Sequence, residues 1–414
     1  MMNQSSSTIT DHGVRQSGIA LVSTSVSGRR VLQIRERGLP AIHMVCGQAD
    51  DKGDAVPCGR LPSASLFRRR WRRFKSNKRG YRSFILFAVL LCLSLAAELI
   101  SNDKPYVVQF NGDLYFPLLK SYPETVFAGD FDTETDYRDP YILHKITSGG
   151  NWAIFPPNPH SYNSINPELD EPVPARPSRI NLLGTDDRGR DVLARLIYGF
   201  RISVLFGLGL TVIGTGLGIM AGAVQGYFGG KTDLFFQRFI EIWSAMPELY
   251  LLIIFASIFK PSLQLLLILL SLFGWMGLSD YVRAEFLKGR NMDYVKAAKA
   301  LGVGNLTIMF RHLLPNGMTP VITFLPFRMS GAILALTSLD FLGLGVPPAT
   351  PSLGELLAQG KSNIEAWWLS LTTFIVLVGT LILLIFVGEA LRATFDPRKS
   401  MVVNGKRQAA SGKR

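Results

Sequence analysis

The sequence predicts an all-α polytopic membrane protein with six transmembrane helices and a small irregular periplasmic segment after the first. Three observations carry that prediction: apolar runs free of formal charge, a basic bias that alternates between successive loops, and glycines repeated at helical spacing. Of 414 residues, 48% are hydrophobic, and Ile202–Gly230 holds 29 consecutive uncharged positions, Ala366–Gly388 23 and Pro261–Ser279 19. About 20 apolar residues cross the hydrocarbon layer of a bilayer, so each run suits one span. Such clustering argues against a soluble enzyme.

Residues 1–65 are rich in Ser, Gly and mixed charge without a sustained apolar period. They are expected to be a disordered extension, or translation upstream of a later start codon. Phe67–Arg82 follows, with nine basic residues and no acid. Basic residues interleaved with aromatics also suit nucleic acid. Here the run abuts the apolar segment Phe84–Ile100, so a cytoplasmic anchor with aromatics at the headgroups is the simpler reading, and no nucleic-acid partner is expected. The polar chain ahead of it, and the continuation through Glu98 to Ile100, favour an uncleaved first helix (66–100) over a signal peptide.

Residues 101–197 form the periplasmic segment. Eleven prolines lie between Pro105 and Pro177, and residues 101–180 carry 11 acids against 6 Lys/Arg. Proline density predicts short strands and irregular chain, and the charge balance places the segment outside. Five further spans are expected at 202–225, 239–259, 262–282, 318–339 and 367–388, within a core of 198–392 and ahead of a tail at 393–414. The loop 283–316 holds six Lys/Arg and the chain after Gly388 holds seven, whereas 340–366 holds only Lys361. Positive residues stay inside, so both termini are expected in the cytoplasm, with the membrane the inner one if the cell is Gram-negative. Gly214, Gly218, Gly222 and Gly226 make a small-residue stripe that lets another helix approach closely in lipid.

No metal or catalytic constellation is readable. Three cysteines and five scattered histidines lack ligand spacing. Gln225–Thr232 ends in Gly-Lys-Thr like a phosphate loop, but Gln225 stands where the first glycine belongs and no strand precedes it. It reads as a turn where a helix leaves the bilayer. Arg328 falls near the middle of the fifth span; it is a candidate contact for substrate, though an interhelical pair is the commoner role of intramembrane charge. Arg238 and Glu241 suit a local pair, Pro247 a kink, and Asp186, Asp187, Arg188, Arg190 and Asp191 a solvated turn at the outer mouth.

The most informative segment is Asn291–Asn316. Ala-rich 292–301 predicts a short helix stopped at Gly302, and 304–314 a second helix stopped before Pro315. Ala297, Ala298 and Leu301 are expected on one small face fit for another protein's groove, against the plainer reading of a surface connector. This loop resembles the EAA loop of membrane subunits of ATP-binding-cassette (ABC) importers. Ala297, Ala298, Gly302, Leu314 and Pro315 match its spacing, with Lys296 in place of its Glu and His312 in place of its Ile. Leu183–Ser203, Gly226–Asp233, Phe341–Pro348 and Pro351–Gly354 narrow the likeness to the dipeptide/oligopeptide permease family, second-subunit type, microcin C branch.

That resemblance implies a type I importer permease that is not itself an enzyme. It would form half of a path for peptides or peptide-like compounds and pair with a different permease subunit as a heterodimer. A periplasmic peptide-binding protein would deliver cargo, and separate ATPase subunits would hold ATP and Mg, leaving this chain without a cofactor. Asp293, Lys296, Ala297, Ala298, Leu301, Gly302, Leu314 and Pro315 are the implied coupling residues. The alternative, an ATP-independent secondary transporter or channel, would favour paired broken helices and an ion-coupling acid in mid-membrane, and neither is apparent.

Overall fold

The computed structural model describes residues 66–395 apart from 167, 168 and 170, and the backbone of four strands between 19 and 60. The chain divides into two units, Met1–Trp71 and Arg72–Arg414. In the first, β1 (Ile19–Val26), β2 (Arg29–Glu36), β3 (Ile42–Cys46) and β4 (Gly59–Arg60) pair in sequence as an antiparallel meander. Val26 pairs with Arg29 and Ile34 with Ile42. The rest of the extension expected over 1–65 lies outside the described residues. The β-branched residues of Ile19-Ala-Leu-Val-Ser-Thr-Ser-Val26 favour strand despite the polar surroundings.

Helix α1 (Leu66–Ser76) carries the basic run, and Asn77 then caps α2 (Lys78–Leu95), its side chain accepting from the Gly80 N–H at 3.4 Å. A short α3 (Ala97–Ile100) continues the chain. The segment beyond it has the short strands its prolines imply. β5 (Val107–Phe110) is central between β6 (Asp113–Tyr115) and β7 (Trp152–Ile154), with α4 (Pro140–Thr147) alongside. Asp139 caps α4 and Pro140 sits in its first turn, where a missing N–H costs nothing. Phe127, Val108, Ile142 and Ile146 are its core, with Tyr115, Phe110 and Tyr137 edge-on to Phe127 at 5.3–5.7 Å.

The remaining elements are helical. They are α5 (Val192–Phe228), α6 (Gly230–Ser244), α7 (Glu248–Ile258), α8 (Leu263–Gly274), α9 (Met276–Gly289), α10 (Asp293–Ala300), α11 (Asn305–Thr307), α12 (Leu314–Phe341), α13 (Leu353–Ser362) and α14 (Trp367–Phe395). Among the described residues four helical stretches are long and apolar enough to span: 192–228, 263–289, 305–341 and 367–395. The α6–α7 pair passes the same measure together, bent by 67° at the residues before Glu248. Pro247, expected to kink one continuous helix, instead stands outside both and caps α7 in extended conformation. At 18 residues α2 is about 27 Å long, and Lys78, Arg79 and Arg82 occupy its first turns.

The glycine stripe does what its spacing predicts. A Cβ on Gly218 would lie 2.9 Å from the Trp275 carbonyl, on Gly222 2.4 Å from that of Ser279, and on Gly226 2.5 Å from the Phe286 Cβ. These glycines therefore bring the backbones of α5 and α9 into direct contact.

Candidate functional site

The 283–316 segment folds back on the bundle as a hairpin. Leu301 ends α10 and Gly302 adopts φ +76°. The Gly302 N–H donates to Lys299 O at 3.0 Å and the Val303 N–H to Ala298 O at 3.1 Å. This paired closure of a helix C-terminus requires left-handed backbone, which explains the glycine. Val295 and Ala298 are buried among Ile308, Met309, Leu313 and Phe286. Tyr227 of α5 fastens the hairpin from the far side: its hydroxyl is 2.7 Å from Asn305 Oδ1, and Lys299 Nζ lies 4.9 Å from its ring centroid.

The two faces of α10 differ from expectation. Ala297 and Leu301 are exposed, Leu301 by 83%, but Ala298 is turned inward at 8%. Residues 297 and 298 are 100° apart on a helix, and the inner one fills the closure beneath Val303. In the turns that follow α10, Leu306 and Phe310 are exposed as well, by 67% and 57%. Asp293 and Lys296 make a solvated pair at 3.7 Å.

Pro315 does not stop the helix. Ile308–Leu313 widen into a π turn, in which the Leu314 N–H reaches Met309 O, and α12 proceeds through Pro315 in its first turn. A proline ring clashes with the carbonyl four residues back, and the wider turn relieves that clash. Leu314 is half-buried against the hairpin core, Pro315 is exposed, and Asn316 Nδ2 donates to His312 O at 3.0 Å. Gln225–Thr232 is the expected helix exit: Gly229 and Gly230 both have positive φ, and α6 begins at Gly230.

At the opposite end of α5, the turn expected to be solvated is buried. Asp186, Arg190, Asp191 and Arg195 are 0–2% exposed. Arg190 Nη2 lies 2.6 Å and Arg195 Nε 3.6 Å from Asp186 Oδ2, and both guanidiniums also reach Glu355 of α13. Arg190 Nη1 donates to Pro348 O at 3.0 Å. Asp191 caps α5 through the Ala194 N–H and accepts from Asn158 and Asn181 at 2.8 and 2.9 Å. Only Asp187 and Arg188 of the turn face water. Buried charge must be paired, so the network ties the start of α5 and the turn before it to α13 and the loop ahead of α13. Arg195 and Glu355, 160 residues apart, gave no local signal beyond charge at the edge of apolar helices.

Arg328 stands apart from both sites. Its Nη2 donates to the Gly274 carbonyl at 2.6 Å, at the break between α8 and α9, and passes close to Gly214. Among the described residues it has no carboxylate partner, so the interhelical tie is a hydrogen bond to main chain and not a salt bridge. Arg238 and Glu241 pair locally on the exposed side of α6.

Residues 214–401 match the family model of binding-protein-dependent transport system inner membrane components, and 65–119 that of the N-terminal TM domain of oligopeptide transport permease C. The chain is 52% identical over 357 residues to the peptidoglycan transport system permease protein YejE of Agrobacterium fabrum, covering 80% of this chain and 93% of that protein. The chain belongs to the ABC transporter permease family. Another member, the inner membrane ABC transporter permease protein YejE of Escherichia coli, is 52% identical over 332 residues, 80% of this chain and 97% of the relative. The dipeptide transport system permease protein DppC of Haemophilus influenzae is 37% identical over 218 residues, 52% and 74% of the two chains. The family-model match over 214–401 takes in both the hairpin and the glycine stripe. The multi-pass permease assignment thus rests on family and fold together.

Proposed function

We propose that this permease forms half of an inner-membrane path for peptides or peptide-like compounds and is driven by a separate ATPase through the 283–316 hairpin. The path would cross the membrane in six spans, α2 and the bent α6–α7 pair joining the four long helices, with both termini and the hairpin in the cytoplasm. The basic flank of α2 and the six Lys/Arg of the hairpin loop support that sidedness. Peptide cargo is supported by the names of the relatives, and delivery by a periplasmic binding protein by the description of the family model, binding-protein-dependent transport. A second, different permease would complete the path, and ATP with Mg would sit on the partner ATPases.

One observation carries the coupling role: α10 is clamped to the bundle by its buried face while Ala297 and Leu301 remain open. A rigid handle with an unfilled apolar edge can transmit movement of a motor to α9 and α12, which it joins without slack. Asp293 and Lys296 would orient the docked surface, Gly302 sets the elbow, and Leu314 with Pro315 fix the exit into α12. Co-purification of the ATPase subunit with the permease tests this. Burying a leucine is worth about 1.5–3 kcal/mol, so Leu301→Asp should weaken ATPase retention by roughly tenfold or more while permease thermal stability stays unchanged. Ala297→Arg should act likewise. Ala298→Arg should lower stability itself. Full ATPase retention by both Leu301→Asp and Ala297→Arg would remove the coupling assignment.

A further inference from the structure

The elbow between α1 and α2 carries a concentration of charge that transport does not use. Within Arg72–Arg82 lie six cations, Arg72, Arg73, Lys75, Lys78, Arg79 and Arg82, with no acid, and all six side chains are exposed. The elbow is a built feature. Phe74 is 4% exposed, and its ring meets Tyr81 at 6.3 Å and Phe84 at 5.9 Å. In one continuous helix, residues 74 and 84 would be about 15 Å apart along the axis. The chain therefore folds back at Ser76–Asn77, and Phe74 pins the fold against the start of α2. Gly80 seats that start on α14, where even a Cβ would lie 2.1 Å from the Ala390 Cβ. The cations are thus held together around the start of α2, with Lys75 Nζ 5.6 Å from the Tyr81 ring centroid.

We propose that this elbow is a docking site for the phosphates of anionic membrane phospholipid. The occupant is argued from charge complementarity and from depth. Depth rests on the proposed reading of α2 as the first span: six cations on an aromatic-pinned fold at its start would then present donors at the level of phosphodiesters, and anionic headgroups attract such clusters. Phe74 itself turns inward, and the exposed aromatics beside the cations, Trp71 and Phe84, are residue types that suit the headgroup level of a bilayer. Neutral phospholipid offers no net charge to hold, so the site discriminates between lipid classes.

The test uses the full chain purified with its transporter partners and stripped of lipid, with bound lipid counted by native mass spectrometry. Phosphatidylglycerol should be retained in preference to phosphatidylcholine. Each basic residue near an anionic surface is worth about fivefold, so Arg72→Gln/Arg73→Gln/Lys75→Gln should weaken phosphatidylglycerol retention by roughly a hundredfold. Arg72→Lys/Arg73→Lys should retain it. Should the glutamine variant fail to assemble, rising salt applied to the wild-type complex should release phosphatidylglycerol but not phosphatidylcholine. Equal retention of the two lipids, salt-independent retention, or displacement of phosphatidylglycerol by a single-stranded oligonucleotide would each overturn the proposal.

Discussion

Replacing Gly222 and Gly216 by alanine in separate chains distinguishes packing from helix propensity on one helix. Both lie in α5, six residues apart, and neither substitution alters charge. A Cβ on Gly222 would sit 2.4 Å from the Ser279 carbonyl oxygen and 2.8 Å from the Val282 Cβ, both fixed parts of α9. Ordinary contact begins at 3.4 Å, so the helices must part by about 1 Å locally. Overpacking of this kind costs about 1–3 kcal/mol. A Cβ on Gly216 would meet nothing within 4 Å, so that alanine should bring the gain of about 0.5–1 kcal/mol expected for relieving a helical glycine. Thermal unfolding of the purified transporter should show Gly222→Ala below wild type and Gly216→Ala at or above it. Equal effects, or a harmless Gly222→Ala, would mean that α5 and α9 are not in backbone contact.

Two further outcomes follow from the outer end. Glu355→Ala strips the buried guanidiniums of Arg190 and Arg195 of a shared acceptor; removing one partner of a buried ion network costs about 3–5 kcal/mol, so yield and thermal stability should fall, and Glu355→Gln should recover part of both. Burial, reinforced by the Arg138 guanidinium 2.9 Å from Nδ1, holds the His160 imidazole below its ordinary 6.5, outweighing the opposite pull of Asp191 and Asp103. The folded chain then binds fewer protons than the unfolded one, so stability should decline as pH falls below about 6.5. A pH series of unfolding temperatures should show that decline in wild type and a flatter profile in His160→Gln.

What could be read in advance follows from the range of the forces involved. The apolar length of four spans, the glycine period, and the pairing of an alanine-rich turn with Gly302 are written within one helical neighbourhood, and the structure reproduces them, whereas the expected span 239–259 is broken before Glu248. The inward rotation of Ala298 was not readable: it depends on Val303 closing beneath it and on Phe286 arriving from α9. The passage of α12 through Pro315 was missed for a related reason, because the rule that proline halts a helix assumes a fixed turn width, and the π turn changes that width. The outer network was misread most completely. Asp186, Arg190 and Asp191 have the composition of a solvated turn, and partners from along the chain satisfy them in the interior: Glu355 the two arginines, and Asn158 and Asn181 the Asp191 carboxylate. Those acceptors could be traced from sequence only through their partners, since a charge carries no mark of whether its neutraliser will be water or another side chain. The same reasoning isolates the α1–α2 elbow. Its charges are as conspicuous in the sequence as those of the outer turn, yet they stand exposed where Arg190 and Arg195 are buried against Asp186 and Glu355, and this difference is what directs them to an anionic surface outside the protein.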